Sequence, residues 1–267
     1  MQELSSSRIA GAAAALASAI LFAAPAVAQV RAAAATSTEA AESAAASNIP
    51  RMPDGKPDFS GYWNLPYFPN MARTKELEAA VPYTPAGLAA YRDHDSKDDP
   101  TARCLYPGVP RIMDSPYPMQ IIQTKDFVVM AFEYMKLWRV IPTDHRPHPA
   151  DLPPSLMGDS VGWWDGDTFV IDTTGLMGAP WTWLDTAGHQ HSDQLHVVER
   201  LQRTAPDSLI LDFTVDDPVM YSTPWNNHRV IKPLKQTPGL PMLLEYSCDE
   251  NNKDLQHLIS TKPALGR

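Results

Sequence analysis

Hydrophobic and polar residues alternate with a period of two over short stretches of this chain, and proline, glycine or aspartate interrupts each stretch. That period marks a strand with one buried face. The clearest case is 168–174, TFVIDTT, which follows Asp165-Gly166, a strong hairpin-turn dipeptide. Residues 59–65, 119–123, 127–134, 136–141, 195–203, 208–215 and 242–247 carry weaker versions of the pattern and are predicted as strands. On 127–134, Val129, Ala131 and Glu133 share one face, and Val128, Met130, Phe132 and Tyr134 share the other. One helix is predicted at 86–92, behind Thr84 as N-cap and Pro85 at the first helical position.

Strands at a spacing of about 8–12 residues, with turn signals between them, imply a mainly β, antiparallel fold. The expected architecture is a lipocalin-like (calycin-type) barrel of about 8–10 strands with one or two short helices, since about eight strands enclose room for one small ligand. Gly61-Tyr62-Trp63 is similar to the G-x-W tripeptide that opens such barrels, where the Trp plugs one end; an ordinary core Trp fits it equally. Strands do not alternate with helices, which argues against a doubly wound sheet.

The first residues follow another rule. Arg8 precedes an apolar run at 9–24, and Ala26-Val27-Ala28 fits a small-x-small cleavage site, so 1–28 reads as a signal peptide. Residues 29–49 are mostly Ala, Ser, Thr and Glu and lack apolar side chains to offset ordering entropy, as expected of a disordered leader. Residues 50–267 then form a single β-barrel domain, periplasmic or secreted, with no later run of the ~20 apolar residues that a spanning helix needs. The net charge of −9 argues against nucleic acid or anionic lipid as partner and leaves a small molecule. Cys104 and Cys248 are expected to pair in an oxidising compartment; two unpaired buried thiols are the alternative.

Several stretches, PDGKPDFSGYW, PYPMQII, GDSVGWWDGDTFVIDT, HSDQLHVVER and LLEYSCDENN, together resemble an abundant family of exported bacterial proteins known chiefly as hypothetical proteins. The resemblance spans Pro53 to Asn252. It implies export and a single domain, and it implies no activity.

Titratable side chains are densest at 189–199, where His189, His191, Asp193, His196 and Glu199 follow one another. A histidine near neutral pH, oriented by a carboxylate, is the usual equipment of general acid–base chemistry. His189 or His191 is the expected base, Asp193 its orienting partner and His196 a third candidate. Extended geometry places His196, Val198 and Arg200 on one face and Glu199 on the other, so His196 and Glu199 do not meet. A metal held by His189, His191 and His196 is the lesser alternative, because H-x-H-x-D-x-x-H is not a diagnostic spacing. Capping and pairing roles are the third. Trp163, Trp181, Trp183, Trp225, Glu133, Tyr134 and Asp172 are the substrate-binding candidates, Trp181 and Trp183 because they sit in a loop beside Pro180. Asp172 shares a face with Val170 and Thr168, where a lumen-facing carboxylate would need a partner or a function. Arg111, Arg139 and His148 rank below these. No phosphate loop, dinucleotide fingerprint or nucleophile elbow is present.

The expectation is an exported enzyme without organic cofactor, of lyase or isomerase type. It would carry out elimination, hydration, isomerisation or cyclisation on a small apolar or aromatic molecule. A lipocalin-like carrier of a hydrophobic ligand and a metal-dependent hydrolase are the alternatives.

Overall fold

The computed structural model describes residues 48–240 and 242–248. The expected signal peptide lies outside the described residues, and so does nearly all of the expected leader. Nine strands follow one another: β1 Gly61–Asn64, β2 Pro118–Gln123, β3 Phe127–Phe132, β4 Trp138–Pro142, β5 Asp159–Asp165, β6 Thr168–Thr174, β7 His196–Ala205, β8 Ser208–Asp216 and β9 Trp225–Pro233. They form one antiparallel sheet in the order β4-β3-β2-β1-β9-β8-β7-β6-β5. Two meanders are thus joined where β1 meets β9, through the pairs Trp63↔Pro233 and Asn64↔Lys232.

β4 and β5 remain the sheet's two edges, so the ladder does not close into a barrel. The edges nevertheless approach. The His145 amide, just past β4, donates to Gly162 O on β5 at 3.0 Å. A methyl group added at Gly162 would lie 2.4 Å from Phe169 Cζ and 3.1 Å from Ile141 Cγ2, so this seam tolerates no side chain.

Inward positions fill the curl. Met119, Ile121, Val128, Met130, Ile141, Phe169, Ile171, Leu201, Leu209, Leu211, Phe213 and Ile231 are all fully or almost fully buried in one cluster. The expected cup is therefore a packed core, and the volume a carried ligand would occupy holds side chains. Trp63 lies in that core, its Nε1 donating to Phe59 O at 2.9 Å with the Arg203 guanidinium over its ring. Glu199 points inward on β7, as the alternation requires. Its bidentate pair with Arg139 of β4, at 2.6 and 3.2 Å, ties the edge strand to the opposite wall, and Ser160 and Thr173 also accept from that guanidinium.

Two short helices, α1 Lys75–Ala79 and α2 Pro85–Asp93, lie between β1 and β2. Thr84 caps α2 by accepting from Gly87 N, as its position before Pro85 predicts. Residues 242–247, expected as a strand, are irregular instead. They are held from outside by the Cys104–Cys248 disulfide, by Leu244 N donating to Glu133 and by the Lys136–Glu245 pair. A disulfide fits an oxidising compartment. Among the described residues, no helix is long and apolar enough to cross a membrane.

Candidate functional site

The three histidines of the central stretch go to three different places. His189 is fully buried: Nδ1 bonds Asp185 Oδ2 at 2.6 Å, and Nε2 lies 3.2 Å from Glu78 Oε1, a charge contact rather than an aligned hydrogen bond. Tyr83 and Tyr91 stack on the ring, and Trp225 tilts against it. Burial disfavours its charged form, but the two carboxylates outweigh burial and lift the imidazole to about 9. A base at neutral pH needs a free lone pair, so an imidazolium held between two carboxylates does not serve. That corrects the expectation for His189.

His191 points the other way. Its Nδ1 lies 2.9 Å from Ser192 O. A carbonyl only accepts, so Nδ1 carries the proton and Nε2 the lone pair. Burial holds the imidazole below its ordinary value, against the opposing pull of the Ser192 carbonyl and the Asp217 carboxylate. His191 is therefore neutral at neutral pH with a defined tautomer, the state a general base requires.

The His191 ring lines a cleft of about 390 Å³ together with Pro154, Met177, Trp181, Asp193 and Met220. Two loops make its walls. Ala179 N donates to His191 O at 2.9 Å, and a Cβ on Gly178 would lie 2.4 Å from Ser192 C, so the two loops touch along their backbones. The buried Asp217, just past β8, accepts from Ser192 N and Oγ and from the amides of Val219 and Met220. One carboxylate thus fixes both the histidine loop and the turn that delivers Met220. Trp181 is half exposed above the cleft, as a binding wall would be. Asp193 is exposed at the rim, and the Ser192 carbonyl, not Asp193, orients His191.

His196 lies on the outer face of β7, where its Nε2 bonds Asp172 Oδ2 at 2.9 Å. The other oxygen of Asp172 bonds His148 Nε2 at 2.9 Å, and His148 Nδ1 bonds Asp159 Oδ2 at 2.6 Å. Asp172 therefore faces outward and bridges two imidazoles; it lines no lumen. Two carboxylates hold His148 above its ordinary value, although burial opposes them.

The remaining candidates disperse. Trp163 stacks on His145 at 4.1 Å. Trp183 is buried, pairs with Gln190 and stands edge-on to His94, so it walls a neighbouring cleft and not that of Trp181. Trp225 packs against Tyr221 and His189. Glu133 accepts from Leu244 N, and Tyr134 stacks on Tyr117 in a separate cavity of about 210 Å³. Of the expected set, His191, Trp181 and Asp193 share one cleft. Met177, Met220, Ser192 and Asp217 complete it and were not foreseen. The Asp216-Asp217-Pro218 run signalled only a chain break, although a turn aspartate that caps several amides is a familiar device.

His189, His191 and His196 do not converge, and among the described residues no group of three or more His, Cys, Asp or Glu side chains is placed to hold a metal ion. No family model matches the chain, and no curated protein matches it either.

Proposed function

We propose that the protein is an exported, cofactor-independent enzyme of lyase or isomerase type that takes a proton from a small apolar or aromatic organic molecule bound in the cleft of His191 and Trp181. The observation that carries this reading is His191 itself: neutral, held in one tautomer by the Ser192 carbonyl, and set in a cleft wall. Met177, Met220, Pro154 and the Trp181 ring supply the apolar surface that such a molecule would cover. His191 Nε2 would accept the proton. The imidazolium so formed gains from the Asp217 carboxylate nearby, and Asp193 at the rim can meet a polar substituent. Return of the proton to a different atom gives isomerisation, and loss of a leaving group gives elimination. The scaffold reads as a calycin-type barrel left open at the β4–β5 seam; the approach of the two edges there favours this. The packed core favours the enzyme reading over the carrier alternative.

The test is a panel of small aromatic and alicyclic carbonyl compounds, read by Trp fluorescence, by imidazole NMR and by exchange of substrate C–H for deuterium. Ligands should quench Trp181, shift the His191 resonances and exchange their acidic hydrogen. His191→Asn should abolish exchange with little change in thermal midpoint, and Trp181→Ala should weaken binding. Ligands that bind and exchange equally well in both variants would refute the proposal.

A further inference from the structure

We infer that His148 is a pH-operated latch on the segment that carries Pro154 to the His191 cleft, an inference about regulation that rests on the cleft being the functional site. From 144 to 155 every residue is exposed except His148. The segment leaves the sheet after the His145 amide bonds β5, and rejoins it where Ser155 N donates to Gly175 O. Between those two anchors His148 is the side chain turned inward. Its far end delivers Pro154 to the cleft, and Leu152 reaches Gly175 just beyond β6.

The latch is proton-dependent by valence. His148 Nδ1 contacts a carboxylate on β5 and Nε2 contacts one on β6, at 2.6 and 2.9 Å. Carboxylates accept only, so both contacts are hydrogen bonds when both nitrogens carry protons. A neutral imidazole keeps one N–H and turns a lone pair toward the other carboxylate. One charge-assisted bond is then replaced by a repulsion. The groups that face His148 are Asp159 on β5 and Asp172 on β6, with His196 on β7 behind Asp172; Asp144 and Arg146 lie on its own segment, and the Arg146 charge is felt at Asp159. His196 donates to the second oxygen of Asp172 and keeps that carboxylate in place whether or not the latch is closed. Because partnering raises the His148 value, the latch is closed in acid and through the ordinary imidazole range, and opens as pH rises beyond it.

Amide hydrogen exchange on the intact chain tests this, with imidazole NMR of His148 in the same samples. After correction for intrinsic rates, the amides of Ser155 and Met177, whose bonds to Gly175 O and Ser155 O dock the end of the segment, should lose at least about tenfold in protection between about pH 6 and about pH 9, the low end of what one charge-assisted bond supplies. His148→Gln, which has no second donor atom, should lack that protection at both values while the β6–β8 amides stay protected. Protection that stays flat while His148 titrates, or a pH-dependent loosening that persists in His148→Gln, would overturn the latch. Should the ligand panel fail at the cleft, the exchange result still stands or falls alone; flat exchange beside intact ligand binding sinks only the latch.

Discussion

Replacing Arg139 by Met tests whether the interior is organised around the charge pair that crosses it. The Arg139 guanidinium and the Glu199 carboxylate are both essentially inaccessible, at 2% and 0% of side-chain exposure. Arg139→Met leaves Glu199 with only the hydroxyls of Ser160 and Thr173 nearby, in a core otherwise built of Phe169, Ile171, Leu201 and Phe213. Removing one partner of a buried pair costs about 3–5 kcal/mol, most of it from the charge left behind. For a folded unit of this size, about 2–4 °C accompanies each kcal/mol, so the midpoint should fall by roughly 6–20 °C. Arg139→Met combined with Glu199→Leu removes both charges and should restore most of the loss, or even exceed the wild type. Urea titration followed by both fluorescence and circular dichroism gives the four corners of the cycle. A single variant within about 1 kcal/mol of wild type, or a double variant as poor as the sum of the singles, would refute the account, because neither fits an isolated buried charge.

Two further outcomes follow from the ties at the periphery and from His189. The Cys104–Cys248 bond closes a separation of 144 residues, for which chain entropy sets a ceiling of about 5 kcal/mol. Cys248→Ser should cost about 2–4 kcal/mol by urea titration, and a loss below about 1 kcal/mol would show that the bond merely docks the tail. His189, raised to about 9, contributes stability that is fully present below its unfolded value of about 6.5 and is lost as pH climbs through about 9. The stability difference between wild type and His189→Gln should therefore fall across that window, by on the order of 3 kcal/mol. A flat difference would mean that His189 is not charged in the fold.

The alternation and the turn dipeptide ahead of it located β6 well, although both of its faces are largely buried. β6 runs Thr168–Thr174, the stretch predicted from TFVIDTT and its Asp165-Gly166 turn, with Gly166 at a φ of 62°. β9, Trp225–Pro233, escaped notice because Asn226, Asn227, His228 and Arg229 disguise it. Asn227 and Arg229 point inward there, and Arg229 is satisfied by a bidentate pair with the buried Asp114, a partner 115 positions away. Residues 242–247 show the opposite error. They are tied to the 133–136 turn by Leu244 N on Glu133, the Lys136–Glu245 pair and the Tyr246 ring on Tyr134, and they join no ladder.

Alternation also says which side chains face inward, and it is silent on whether they meet. Across the curl from Glu199 stands Arg139, and around them the strands close on each other's side chains until no cup is left. With the interior filled, the cleft lined by His191 lies among the connections. In GHQHSD the two histidines stand two residues apart on either side of Gln190, and one meets a buried carboxylate while the other lines a cleft. Asp185 and Glu78 on either side hold His189 in its charged form at neutral pH, against the cost of burial; burial holds His191 below its ordinary value, against the pull of the Ser192 carbonyl and the Asp217 carboxylate. The same residue type thus takes different charge states two positions apart, through partners that only the fold supplies. What holds the second nitrogen of each imidazole sets its chemistry: His189 has both nitrogens against carboxylates, whereas His191 has Nδ1 on the Ser192 carbonyl, the arrangement on which the proposed proton transfer rests.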